Sequence, residues 1–144
     1  MKTTDAELAS GAFIKLLRAS SAVSTRAHRP LAQEGLSESQ FGVLEALYQR
    51  GPLCRRDLAE KILKTGGNIT MVVDNLVKRA WVVRKRDQED RRVVTIHLTA
   101  AGRAVIERVY PLMERSIARE MSVLSAEQLA TLSILCRKLG LPEQ

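Results

Sequence analysis

A mainly helical chain with one small β-hairpin is the fold class this sequence predicts, and three observations predict it. Of its 144 residues, 45% are apolar but only 3% are aromatic. The apolar set is mostly Leu, Val, Ile and Ala, which packs helices more readily than a large twisted sheet. Apolar residues recur at spacings of three and four along most of the chain, and the period drops to two only between Trp81 and Thr99. The length suffices for one domain with a buried core that needs neither metal nor disulfide staples.

The first helix is predicted from about Asp5 to about Ala27, with Leu8, Ala12, Leu16, Ala19 and Val23 on one stripe. Pro30 and Gly35 are read as its stop. Ser37 then begins a capping box with Gln40, and Leu36 is placed to staple onto Phe41, so a second helix opens there and runs to Arg50, before Gly51-Pro52. A short helix from about Arg55 to Ile62 has Leu58, Ala59 and Ile62 as its apolar face. After the turn Leu63-Lys64-Thr65-Gly66, a helix from about Gly67 to Ala80 buries Ile69, Val72, Val73, Leu76 and Ala80. Its other face carries Asn68, Thr70, Met71, Asp74, Asn75 and Lys78.

From Trp81 the pattern is that of strands: Val82–Arg86 and Val93–Thr99, around the loop Asp87–Arg92, with Val94, Ile96 and Leu98 inward. Thr99 can cap a long helix to about Met121, although Gly102 stands where a capping box would place Glu or Gln, and Pro111 should bend it. A last helix opens at Ser125 with Gln128 three residues on and ends at Gly140. No repeat or low-complexity linker divides the chain.

Charge separates the functional classes. The net charge is +7, and residues 50–92 hold twelve basic against six acidic residues, while the flanking segments are nearly balanced. That asymmetry marks a nucleic-acid-binding module between segments with another task. No apolar run approaches the ~18 residues of a membrane span and no signal peptide is evident, so a cytoplasmic protein without membrane attachment is expected. Cys54 and Cys136 form no CxxC pair, and neither His28 nor His97 lies in a catalytic or metal-binding pattern. No enzyme, metal or cofactor is therefore expected. Trp81, the single tryptophan, sits at a helix-to-strand junction rather than on a stacking platform, which favours duplex DNA over single-stranded RNA.

A short helix, a turn, a second amphipathic helix with a small-polar face and a basic hairpin make a winged helix-turn-helix. An α-helix fits the major groove with its N-terminal residues on base edges, and a cationic hairpin tip can reach the neighbouring minor groove. The candidate DNA contacts are Arg55, Lys64, Thr65, Gly67, Asn68, Thr70 and Lys78 from the helix pair. The hairpin adds Arg84, Arg86, Asp90, Arg91 and Arg92.

Over about Ala6 to Leu139 the chain resembles the MarR (multiple antibiotic resistance regulator) family. The most specific likeness is Asp90-Arg91-Arg92 followed by a strand and Leu98-Thr99, similar to that family's D-x-R wing motif and the L-T helix start. Residues Leu63 to Thr70 resemble its turn and recognition-helix start. The resemblance implies that Arg92 enters the minor groove with Asp90 orienting it. It also implies a homodimer interlocked through its first and last helices, with a pocket for small phenolic or anionic effectors between the dimer and DNA-binding lobes, and most often a repressor released by ligand.

The residues themselves also point to a dimer. Val105, Ile106, Val109, Leu112, Met113 and Ile117 on one terminal helix, and Leu129, Leu132, Leu135 and Leu139 on the other, exceed what a minimal winged helix needs. A larger monomeric core is the alternative. The expected organisation is one domain, with residues of about 36–99 as DNA-binding lobe and about 5–30 and 100–140 as dimerisation helices. Two further readings stay open: a non-regulatory nucleic-acid-binding protein, and a thiol sensor. The organic-peroxide sensors of the family carry a cysteine in the first helix and this chain has none there, but Arg55 and Arg56 give Cys54 an electropositive setting. Cys136, on the apolar stripe of the last helix, is expected in the core.

Overall fold

The computed structural model describes residues 3–62 and 69–141. Helix α1 (Asp5–Ala27) opens on a reciprocal cap in which Thr4 Oγ1 accepts the Glu7 N–H at 3.1 Å and Glu7 Oε2 accepts the Thr4 N–H at 2.7 Å. A five-residue helix, α2 (Arg29–Gln33), follows where only a stop was expected. Pro30 stands in its first turn, where a missing N–H costs no intrahelical bond. Gly35, at φ 67°, closes α2 in the left-handed region, with its own N–H on Ala32 O at 3.2 Å and the Leu36 N–H on Leu31 O at 3.0 Å. Helix α3 (Glu38–Arg50) carries the capping box read from the sequence, Ser37 with Gln40.

Strand β1 (Leu53–Cys54) was not foreseen, because two residues after Gly51-Pro52 show no periodicity. Helices α4 (Arg55–Ile62) and α5 (Ile69–Lys78) and the strands β2 (Val82–Arg86) and β3 (Val94–Leu98) come next. The antiparallel sheet has the order β1-β3-β2, with Leu53 and Arg84 flanking Ile96 and with Val82 opposite Leu98. Helix α6 (Ala100–Met121) is capped by Thr99, whose Oγ1 accepts the Gly102 N–H at 3.0 Å, and it continues through Pro111. Helix α7 (Ala126–Gly140) has the expected capping box of Ser125 and Gln128.

The chain forms two compact units, residues 28–113 and residues 1–27 with 114–144. In the first, Val43, Leu44 and Leu47 of α3 pack with Leu58, Val73, Leu76, Val82 and Ile96 in one apolar core. Each such fully buried side chain contributes about 1.5–3 kcal/mol. This unit reaches beyond the expected 36–99, because Leu31 of α2 and Val105, Ile106, Val109 and Met113 of α6 complete the same core. Those four α6 residues were expected at a dimer interface and are instead consumed here.

In the second unit, Arg26 Nε meets Glu120 Oε2 at 2.7 Å and Ser116 Oγ donates to Ala27 O at 2.7 Å. Leu8, Phe13, Ile14 and Leu17 of α1 are exposed, and no residue of α7 is buried. Cys136 is exposed rather than in a core, on a helix of which no residue is buried.

Candidate nucleic-acid interface

Helix α5 owes its position to an apolar face, with Val73 and Leu76 fully buried, that leaves Thr70, Asp74 and Lys78 one turn apart on a single side. The hairpin is attached directly behind it. Ala80 takes φ 61°, so the Ala80 and Trp81 N–H groups close onto Val77 O at 2.9 Å and Leu76 O at 3.1 Å. Trp81 O in turn accepts the Thr99 N–H at 3.1 Å, and Thr99 Oγ1 donates to Ala80 O at 2.7 Å. The end of α5, the base of the hairpin and the start of α6 are thereby tied at one point. The Arg79 guanidinium lies 3.9 Å from the centre of the Trp81 ring and donates to Gly35 O at 2.6 Å, fastening the same junction to the end of α2.

Two arginines bracket α5. Arg55 Nη1, at the start of α4, donates to Thr70 Oγ1 at 3.1 Å, and Arg84 of β2 is ion-paired with Asp74. A threonine hydroxyl that accepts from Arg55 can still donate to an acceptor such as a purine N7. Lys78 is exposed at the last turn of α5. Large apolar Met71 is also exposed beside Thr70, at 56%.

At the hairpin tip, Asp87 Oδ1 accepts the Glu89 N–H at 2.7 Å, turning the loop, and Asp87 N–H bonds to Val93 O at 2.9 Å. Asp90 then receives three bonds from Arg92: the backbone N–H at 3.1 Å, Nε at 3.1 Å and Nη2 at 3.2 Å. These bonds hold the Asp90 carboxyl below the ordinary carboxylate range. The Arg92 side chain remains 92% exposed. Arg86 is turned inward on the loop, donating to Arg91 O at 2.9 Å, while the Arg91 side chain is exposed. His97 pairs with Thr95 Oγ1 at 2.8 Å, and partial burial, then the neighbouring Lys85 charge, push its pKa down.

Between α4, α5 and the sheet lies a cavity of about 500 Å³, walled by Arg55, Arg84, Arg92 and Cys54 over an apolar floor of Val73 and Ile96. Of the twelve sequence-predicted contacts, Arg55, Thr70, Lys78, Arg84, Arg86, Asp90, Arg91 and Arg92 belong to α4, α5 and the hairpin. Lys64, Thr65, Gly67 and Asn68 lie outside the described residues. Asp74 and Met71 were passed over as contacts. Their signal was spacing alone, since they stand four and one residues after Thr70 on the unburied face.

A curated relative, YkoM of Bacillus subtilis, described as an HTH-type transcriptional regulator, is 34% identical over 140 residues, covering 97% of this chain and 91% of its own length. The sequence profile of the MarR family matches residues 36–94, from just before α3 into the start of β3. The chain belongs to the MarR family. MhqR of Bacillus subtilis, another HTH-type transcriptional regulator, is 32% identical over 129 residues, covering 90% of this chain and 89% of that protein.

Among solved structures, BpsR of Bordetella bronchiseptica, whose DNA binding is regulated by 6-hydroxynicotinic acid, superposes with a TM-score of 0.81 at 25% identity, covering 90% of this chain and 98% of that one. The chain is thus a MarR-family, DNA-binding helix-turn-helix regulator of transcription, and its mainly helical fold with a small antiparallel wing agrees with the fold class expected. Among the described residues, no helix is long and apolar enough to cross a membrane.

Proposed function

We propose that this MarR-family regulator works as a homodimer on a pseudo-palindromic operator, with α5 of each protomer in successive major grooves and each wing in a flanking minor groove. The observation that carries this reading is the wing tip, where an exposed cation, Arg92, is held by two side-chain hydrogen bonds to Asp90. Thr70 with its Arg55 partner, and Lys78, give α5 the matching groove-facing groups. Lys64, Thr65, Gly67 and Asn68, which precede α5 in the sequence, add further DNA contacts, and Arg84, Arg86 and Arg91 the phosphate contacts of the hairpin. Dimerisation is supported by the uncovered apolar residues of α1 and α7.

The protein acts as a repressor released by a small phenolic or anionic effector. The hydroxylated aromatic acid that regulates BpsR supports that class of ligand. Selection from a random duplex library tests the operator reading. The purified protein should enrich two inverted half-sites whose centres lie about 10 bp apart. No enrichment, or a single unsymmetrical half-site, rejects it.

One observation favours a thiol-responsive form of the same regulator: Cys54 lines the arginine-walled cavity next to α5. Treating the wild-type protein and Cys54→Ser with a thiol oxidant before the operator titration separates the two. Loss of binding in the wild type alone assigns the response to Cys54, and equal behaviour removes it.

A further inference from the structure

Asp74 is an anomaly on the face assigned to DNA. It stands one helical turn after Thr70, it is half exposed, and a carboxylate there repels phosphate. Counting charges, its removal should strengthen binding. The structure gives it a different occupation. Its Oδ1 accepts from Arg84 Nη2, ten residues along the chain and on another element, and this is the ion pair that joins α5 to the middle of β2. Arg84 stands opposite Ile96 of β3 in the sheet and lines the cavity with Arg55 and Arg92. Freed of a partner, so long a side chain populates many rotamers and must be ordered when it meets DNA.

We infer that Asp74 is a positioning residue for DNA recognition: it holds Arg84 against α5, so that helix and wing present one pre-set array of cations. The inference rests on the proposed DNA-binding face. It assigns a carboxylate on that face a net favourable effect on binding, because an arginine ordered beforehand loses less entropy on association than a free one.

The sign of one substitution, measured in two backgrounds, tests it. Wild type, Asp74→Asn, Arg84→Gln and the double variant are titrated by fluorescence anisotropy against the duplex that the wild type enriches from a random library. Asp74→Asn should weaken binding about tenfold when Arg84 is present. In the Arg84→Gln background it should tighten binding, since the carboxylate there has only phosphate to repel. A purely structural role makes Asp74→Asn harmful in both backgrounds, and simple repulsion makes it helpful in both. Either result overturns the inference.

Asp74→Glu keeps a carboxylate within reach of Arg84 and should retain most of the affinity. A loss equal to that of Asp74→Asn also overturns the inference. Arg92→Ala, run in parallel, identifies the level of any failure. If neither Arg84→Gln nor Arg92→Ala changes binding, the DNA face itself is wrongly assigned. If both weaken binding while Asp74→Asn keeps one sign throughout, only the positioning role is rejected.

Discussion

Arg92 is worth most to DNA binding if it reaches the groove already ordered, and Asp90 holds its guanidinium by two hydrogen bonds. Arg92→Ala should therefore lower operator affinity and make the dependence on salt shallower by about one unit of slope, as expected for one lost phosphate-neutralising cation. Asp90→Ala should also weaken binding although it removes a negative charge, and should do little once Arg92 is gone. Titrations of both single variants and the double variant check this, and tighter binding by Asp90→Ala, or additive losses, would contradict it. Because Arg92 holds the Asp90 carboxyl below its usual range, the pair stays ionised through neutral and mildly acidic pH, and its contribution is lost only as pH falls through that depressed value. The wing pair was legible through the resemblance of Asp90-Arg91-Arg92 to the family's D-x-R motif, and the structure closes it locally, two residues apart in one tight loop. Asp74 and Arg84 were not legible as a pair, since ten residues and a change of element separate them, and only the packing of the hairpin brings them together.

At the level of elements, the junction around Trp81 fixes where the wing stands relative to α5. A Cβ on Gly102 would lie 1.9 Å from Trp81 O, so α6 can approach the hairpin base only with glycine there. Gly102→Ala should destabilise the protein by about 3 kcal/mol or more, as overpacking against backbone does, and thermal unfolding monitored by circular dichroism measures it. Ala80 has the opposite character. It occupies, at φ 61°, the left-handed closing position that Gly35 fills at the end of α2. Ala80→Gly should raise stability by up to about 1 kcal/mol, the relief of left-handed strain being partly offset by the freer unfolded chain. The glycine at 102 that interrupted the expected capping box is thus explained by a neighbour twenty-one positions earlier, which no local pattern contains. The capping boxes at Ser37 and Ser125, being local, were legible residue by residue. Helix α2 and strand β1 were missed for the converse reason: five and two residues are too few to display a period.

Across the whole molecule, apolar residues that remain exposed within one chain are concentrated in α1 and α7, where Phe13 is 58% and Leu139 70% exposed. The protein should sediment at about 32 kDa, twice its 16.0 kDa chain, with a thermal midpoint that rises with protein concentration. Leu135→Asp should shift the sedimenting species toward the monomer. A folded, stable wild-type monomer at micromolar concentration would reject the dimer. The division of the chain into residues 28–113 and residues 1–27 with 114–144 carries one more consequence, for biosynthesis. The unit of residues 28–113 is a continuous stretch and can fold as soon as it leaves the ribosome, whereas the other unit joins two stretches that more than eighty residues separate. At a synthesis rate of roughly 5–20 residues per second, α1 waits several seconds for the rest of its unit with Leu8, Phe13, Ile14 and Leu17 bare to solvent. The apolar residues of α1 are therefore made well before the stretch that completes their unit, and that interval is the time in which a chaperone that binds short apolar helices has its substrate.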